Sequence, residues 1–152
     1  MIRVVVTAEA FAPAHETACF AAARDDRCGA LASFVGYCRG HTHDGVVTTL
    51  ELQHYPGFTE AEIERLARQV SAKHAFTALL VIHRVGVIPA GDAIVLVAAQ
   101  SAHRAAAFAA IEEMMDYLKT DAPFWKREAG PDGARWIEPT SDDYARRQEH
   151  GA

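Results

Sequence analysis

The sequence lacks the features that mark several common classes of protein. It has three cysteines in 152 residues, and none of them forms a CxxC pair, so we expect reduced thiols rather than a disulfide framework or a zinc site. No apolar run is long enough for a membrane-spanning helix, and the first residues lack the layout of a signal peptide. The net charge is −5 and no basic stripe occurs, which argues against binding to DNA or RNA. These absences favour a cytoplasmic protein that binds neither nucleic acid nor membrane.

Motifs of familiar catalytic sites are missing too. The sequence has no Gly-rich phosphate loop, no GxSxG and no HExxH. His41 and His43 form an HxH pattern in a predicted loop, but no further ligands stand nearby, and a metal site needs them. We expect solvated histidines there and neither metal nor cofactor. A metal-dependent hydrolase built on this loop is the weakest of the functional hypotheses.

The order of apolar patterns predicts one α+β domain with a mainly antiparallel sheet and three main helices. Half of the residues are apolar, which suffices for a core. The turn-forming residues GHTHDG between the second and third strands predict a hairpin. The predicted strands are 2–7, 30–39, 46–55, 79–88, 93–99 and 134–138, and the predicted helices begin near Pro13, Thr59 and Ser101. We expect the domain to span residues 1–138 and to be followed by a polar, flexible tail over 139–152.

Two helices carry further predictions. Thr59 and Glu62 have the spacing of a capping box at the start of the second helix. Its apolar face is predicted to be Ile63, Leu66, Ala67 and Val70. In the last long helix the spacing predicts an apolar face of Phe108, Ile111, Met115 and Leu118, with Glu112, Glu113 and Asp116 on the opposite side.

The stretch 101–128 concentrates cations on an otherwise acidic chain. His103 and Arg104 begin its helix, Lys119 ends it, and Lys126 follows a proline. Cations in the first turn oppose the helix dipole unless a bound anion offsets them, and helix N-termini themselves attract anions. A small anionic ligand is therefore one interpretation, and a pair of surface cations is the other.

Two neighbouring segments add candidate groups. Phe124 and Trp125 stand beside Lys126 and could lower its pKa by desolvation, which would make it a usable acid, base or nucleophile. Arg39 ends a predicted strand, where it could present its guanidinium to a phosphate. Cys38 has no assured histidine partner, so we expect a structural role for it rather than a nucleophilic one.

Several segments together resemble the catalytic, large subunit of molybdopterin synthase. The matching blocks are FVGYCRG (34–40), LELQHYPGFTE (50–60), VIHRVGVIPAGD (81–92), SAHRAAAF (101–108), MDYLKTDAPFWKRE (115–128) and RWIE (135–138). Of these, the run around Lys119 and Lys126 is the most specific. Where the family commonly has small residues, this chain has Tyr37 and Cys38, which could reshape a pocket.

The resemblance implies an α/β hammerhead-type fold, a dimer of large subunits, and a heterotetramer with a small ubiquitin-like sulfur-carrier subunit. The Gly-Gly tail of that carrier ends in a thiocarboxylate, which enters the pocket of the large subunit. Sulfur passes to cyclic pyranopterin monophosphate and forms the dithiolene of molybdopterin, without a metal in the synthase itself. A non-catalytic module that binds a ubiquitin-like tail or a phosphorylated metabolite is the alternative.

The resemblance also implies roles for individual residues. Lys119 and Lys126 correspond to the two active-site lysines, with Lys119 expected to transfer protons and Lys126 to stabilise anionic charge. The remaining substrate-binding candidates are Tyr37, Cys38, Arg39, His103, Arg104, Arg127 and Glu128.

Overall fold

The computed structural model describes residues 1–151 as ten strands and four helices. The strands are β1 (Ile2–Thr7), β2 (Ala30–Tyr37), β3 (His41–Thr42), β4 (Gly45–Val46), β5 (Thr49–His54), β6 (Phe76–Arg84), β7 (Gly86–Pro89), β8 (Ala93–Ser101), β9 (Phe124–Gly130) and β10 (Gly133–Ile137). The helices are α1 (Pro13–Ala22), α2 (Phe58–Lys73), α3 (Arg104–Thr120) and α4 (Ser141–Glu149).

The first sheet has the strand order β1-β6-β8-β2. Only β1 runs parallel to its neighbour, and the other pairs are antiparallel. The two central strands, β6 and β8, are almost continuously buried because helices cover both faces. Phe20 of α1 packs on one face, while α2 and α3 pack on the other. This sheet is the platform that orients α3.

The second sheet has the order β10-β9-β5-β7 and is antiparallel throughout. Its inner face contributes Leu50, Leu52 and Ile88 to a separate apolar cluster. Gly86 has φ +79 and makes the break between β6 and β7, so that one apolar run serves two sheets. The mixed, mainly antiparallel architecture agrees with the predicted fold class.

The predicted hairpin between the second and third strands is wrong. β2 pairs with β8 in the first sheet, whereas β5 pairs with β7 and β9 in the second. The turn-forming residues between them close only the two-residue strands β3 and β4, in which His41 opposes Val46. The local reversal was therefore correct, but the longer strands diverge to different sheets.

The second helix begins differently from the prediction. Its N-cap is Gly57, whose N–H donates to Glu60 Oε2 over 2.7 Å, while Thr59 Oγ1 accepts from Tyr55 N. Glu62 instead pairs with Arg65. The predicted apolar face is confirmed, since its four residues are wholly inaccessible to solvent: Ile63, Leu66, Ala67 and Val70.

The predicted apolar face of α3 is rotated from the observed one. Phe108 is 64% exposed, whereas Glu113 is 1% exposed. Glu113 is tolerated inside because Lys73, His74 and Tyr117 all hydrogen-bond to its carboxylate. The residues that α3 buries against the sheet and α2 include Ala107, Ala110, Ile111, Met114, Tyr117 and Leu118.

The segment expected to be a flexible tail contains a helix. Thr140 accepts a hydrogen bond from Asp143 N, and the carboxylate of Asp143 accepts from Thr140 N, so the two form a capping box that starts α4. The helix packs on α3, where Arg147 pairs with Asp121 and His150 bonds to Asp116. No helix in the described part of the chain is both long and apolar enough to cross a membrane.

Candidate active site

A cavity of about 310 Å³ lies between the end of α3, β9, β10 and the start of α4. Arg39, Lys119, Lys126 and Glu128 all line it. Four of the candidate residues inferred from the sequence thus meet in one place, although they come from three separate segments. The cavity concentrates positive charge on a chain whose net charge is negative.

Lys119 reaches the cavity from the last turn of α3. A cation is favourable at this end of a helix because the partial charge there is negative. Its neighbour Leu118 is buried and fixes the rotation of the helix, which leaves Lys119 exposed on the cavity side. Within residues 1–151 the ammonium has no ion-pair partner closer than 4 Å, so it is available to a ligand.

Lys126 lies in the middle of β9, between Leu52 of β5 and Ile137 of β10. Side chains alternate along a strand, so Phe124, Lys126 and Glu128 point to the cavity side together. Burial lowers the pKa of Lys126 to about 8, and the positive charge of Lys119 adds to the effect. Like Lys119, it has no ion pair within the described residues. The desolvation suggested by its aromatic neighbours is therefore present, with Phe124 lining the cavity.

Acidic groups on the cavity wall limit this positive field. The negative charge of Asp143 of α4 opposes the lowering of the Lys126 pKa. Burial opposes the ionisation of Asp143 itself, but hydrogen bonds from Thr140 and the charge of Lys119 lower its pKa. Glu128 accepts a hydrogen bond from Arg135 over 3.2 Å, and Arg135 also pairs with Asp44. Among the described residues, Arg39, Lys119 and Lys126 are thus cations of the cavity without an ion-pair partner.

The backbone beside Arg39 is held by hydrogen bonds just after β2. Cys38 N donates to Asp92 O over 2.9 Å, and Gly91 N donates to Cys38 O over 2.7 Å. The side chain of Asp92 pairs in turn with buried Arg84 over 2.8 Å. These contacts fix the direction in which the chain leaves the sheet and present Arg39 to the cavity.

The structure separates His103 and Arg104 from this cavity. They stand at the N-terminal end of α3, and 16 residues of helix place His103 about 24 Å from Lys119. Both are exposed.

The three other candidates do not line the cavity either. Tyr37 is exposed, and Arg127 pairs with Glu51 on the opposite face of β9. Cys38 is 4% exposed. Burial raises the pKa of its thiol, and the charges of Glu128 and Asp92 raise it further. Cys38 is therefore suited to packing rather than to nucleophilic attack, as its sequence context predicted.

Several cavity residues were missed by sequence reasoning because they lie in or beside the supposed tail. Thr140, Asp143 and Tyr144 line the cavity from α4, and Arg135 lines it from β10. The available signal was the Thr140–Asp143 spacing, which is that of a helix start. His43 also lines the cavity, but nowhere in residues 1–151 do three histidine, cysteine or acidic side chains form a cluster suited to a metal ion.

Known proteins resemble this chain over most of its length. The family model described as MoaE protein matches residues 6–121. A molybdopterin synthase catalytic subunit from Caulobacter vibrioides is 46% identical over 140 residues, which cover 92% of this chain and 91% of that protein.

Solved structures agree with the sequence comparison. Molybdopterin cofactor biosynthesis protein E from Burkholderia multivorans has a TM-score of 0.81 and 41% identity, covering 100% of this chain and 98% of the other. Molybdopterin synthase from Staphylococcus aureus has a TM-score of 0.77 and 26% identity, covering 89% and 95%.

Proposed function

The chain belongs to the MoaE protein family, whose relatives described above are catalytic subunits of molybdopterin synthase, and on that premise we propose how its cavity carries out sulfur transfer. The substrates are the thiocarboxylate at the end of a small ubiquitin-like carrier and cyclic pyranopterin monophosphate. Both are anionic. The observation that carries the proposal is the meeting of Arg39, Lys119 and Lys126 in one cavity, with both ammonium groups unpaired among the described residues.

The cavity suits the two substrates for electrostatic reasons. A phosphate accepts the planar hydrogen-bond donors of an arginine well, so Arg39 is the natural contact for the phosphate of the pterin. Lys119, exposed at the end of α3, meets the carboxyl-terminal end of the carrier. Because the carrier brings the sulfur, the large subunit needs no reactive cysteine, and the raised pKa of the Cys38 thiol is compatible with the reaction.

We assign the two lysines roles that differ from those in the sequence-based hypothesis, in which Lys119 transfers protons. Each transfer forms a carbon–sulfur bond on the pterin while an oxygen leaves as water, and hydrolysis of the acyl–sulfur bond then releases the carrier as a carboxylate. The departing oxygen needs a proton. Lys126, with a pKa of about 8, is a stronger acid than an ordinary ammonium and gives up its proton more readily near neutral pH. We assign proton donation to Lys126 and electrostatic stabilisation of the thiocarboxylate to Lys119.

His103 and Arg104 can contribute to the same reaction only from a second copy of the chain. One helix holds them about 24 Å from Lys119, so a site that contains both ends of α3 needs two helices running in opposite directions. A two-fold axis that exchanges residues 103 and 119 passes near residue 111, midway between them.

An apolar patch lies where that axis would pass. Phe34 is 42% exposed and Phe108 64%, and together with Ile111 and Met115 they line a shallow surface hollow. Phe34 is on β2, an edge strand of the first sheet. We propose that this patch is the contact between the two large subunits of the synthase.

We also propose a cytoplasmic location. The three cysteines, Cys19, Cys28 and Cys38, are all free, which suits a reducing compartment.

Reconstitution tests the proposal directly. The chain is combined with a thiocarboxylated carrier and cyclic pyranopterin monophosphate, and dithiolene formation is measured. Lys119→Ala and Lys126→Ala should each lower turnover by at least about a hundredfold, a typical loss for a group that acts on the transition state. Arg68→Ala, which removes an exposed cation of α2, is the matched control and should leave turnover unchanged. Carrier binding without dithiolene formation by the unmodified chain would instead identify a non-catalytic binding module.

A further inference from the structure

His83 is a buried histidine to which the reaction scheme gives no role. It is the penultimate residue of β6 and is 3% exposed. Its ring stacks on the ring of Phe124, with centroids 4.1 Å apart and planes inclined by 23°. Phe124 lines the cavity, and His83 stands behind it. The imidazole therefore forms the second layer of the cavity wall.

The imidazole of His83 is uncharged at any working pH. Its Nδ1 lies 2.9 Å from the backbone oxygen of Arg84. A carbonyl oxygen only accepts, so Nδ1 carries the proton and donates it to this bond. Burial lowers the pKa of His83 to about 3, and the positive charge of Lys126 acts in the same direction. The ring is thus a neutral imidazole held in one tautomer.

Lys126 lies beside the stacked rings of Phe124 and His83. Phe124 and Lys126 are two residues apart on β9, so their side chains share one face of the strand. Both line the cavity, and the charge of Lys126 is felt at His83. The rings of Phe124 and His83, stacked on one another, lie on the Phe124 side of the lysine and bring no charge.

We propose that His83 is a positioning residue for Lys126: by stacking on Phe124 it holds an uncharged wall against the lysine and keeps the ammonium group poorly hydrated. The consequence is an ammonium that releases its proton readily. This inference rests on the proposed role of Lys126 as the proton donor. It adds that the acidity of Lys126 depends on a residue that never touches the substrate.

Among the described residues, no ion pair or side-chain hydrogen bond joins His83 to the other charged groups around Lys126, because the hydrogen bond of its ring goes to the backbone of Arg84. Lys119 of α3 disfavours the charged form of Lys126, and Asp143 of α4 favours it. Glu128 on the same strand, Arg39 after β2 and Arg135 of β10 complete the charged lining of the cavity. A change in the titration of Lys126 in a His83 variant can therefore be attributed to the loss of the ring that stacks on Phe124.

The test measures the protonation of Lys126 without requiring turnover. The full chain is labelled with a trace amount of an amine-reactive reagent over pH 6–11, and mass spectrometry reports each site separately. The sequence has only three lysines, so Lys73, which does not line the cavity, serves as the internal reference, and Lys119 is resolved as a separate site. The variants are His83→Ala, which removes the stacked ring, and His83→Phe, which restores an uncharged ring.

We expect Lys126 in the unmodified chain to titrate near 8. In His83→Ala the midpoint should rise by about one unit, which lowers the labelling rate at pH 7.5 about eightfold. In His83→Phe it should return toward the unmodified value. In the reconstituted synthase, His83→Ala should lower the maximal rate and move the alkaline decline of activity to higher pH.

Three results would overturn the inference. One is the same Lys126 midpoint in His83→Ala as in the unmodified chain. Another is a raised midpoint in His83→Phe equal to that in His83→Ala. The third is loss of turnover in His83→Phe with an unmoved midpoint, which would make His83 itself a proton carrier. If His83→Ala does not fold, Phe124→Leu thins the same wall and should raise the midpoint as well. If the unmodified chain makes no dithiolene, but His83→Ala still raises the midpoint of Lys126, the proposed function fails and the role of His83 stands.

Discussion

Mixing two inactive variants tests whether each active site draws on two copies of the chain. Lys119→Ala removes a cation from the end of α3, and Arg104→Ala removes one from its beginning, about 24 Å away. Both side chains are exposed, so both variants should fold normally. Each variant alone has the same defect in both sites of its dimer. A mixed dimer is different, because one of its sites receives both substitutions and the other receives neither.

The expected activity follows from counting sites. Random exchange of subunits at equal concentrations makes about half of the dimers mixed, and one of the two sites in each mixed dimer is intact. The mixture should therefore regain about a quarter of the unmodified activity. The assay is dithiolene formation after the two variants are denatured and refolded together, compared with each variant treated alone.

A second mixture supplies the control. Lys119→Ala and Lys126→Ala remove groups that line the cavity of a single chain, so every site in their mixed dimer carries one lesion. This mixture should stay inactive. Activity in the first mixture that does not exceed the mean of its two parents would refute a site shared through antiparallel α3 helices.

Three further predictions concern stability, pH and assembly. Glu113→Ala should lower the free energy of unfolding by about 2–3 kcal/mol, since it leaves a buried gap and removes the carboxylate that pairs with Lys73 and accepts the hydrogen bond of buried Tyr117. Burial opposes ionisation of Glu113, but its hydrogen bonds prevail and hold its pKa below the ordinary 4.5. The stabilisation is therefore present above that value and is lost as the pH falls, so denaturation curves of the variant and the unmodified chain should converge in acid. The turnover number should decline as the pH rises through about 8, where Lys126 loses its proton, and an unchanged rate from pH 7 to 9.5 would exclude it as the proton donor. Phe108→Glu should raise the dimer dissociation constant at least about tenfold in sedimentation experiments, whereas Val87→Glu, at a similarly exposed apolar residue on β7, should not.

Periodicity located most strands and helices but did not fix their partners. The alternation and apolar runs of β1, β6 and β8 are local properties, and they were predicted to within a few residues. A turn sequence reports only that the chain reverses, so the residues around His41 and Asp44 could not show that β2 and β5 enter different sheets.

The orientation of α3 was beyond local pattern as well. Large apolar residues suggested a face that includes Phe108, while the observed buried face depends on small alanines that fit against the sheet. Glu113 is buried because Lys73, 40 residues earlier, meets it there. That compensation exists only in the folded chain.

The site was predictable in its chemistry and not in its geometry. The cationic stretch indicated an anionic ligand, and the family resemblance selected Lys119 and Lys126. Neither observation could show that α3 holds Arg104 far from them, because a list of residues carries no distances. The contribution of His83 to the cavity wall is of the same kind, since it arises where β6 and β9 approach each other.

The length of α3 determines the distance between the two proposed reaction centres of a dimer. If its two ends serve two different reaction centres, the helix is a spacer whose rise determines how far apart those centres lie. Deleting a single residue would shorten it by about 1.5 Å and turn everything after the deletion by about 100°. Lys119 would then face away from its cavity while the cations at the other end stayed in place. The helix should accordingly accept side-chain changes at exposed positions outside the proposed contact around Phe108, yet no change in the number of its residues.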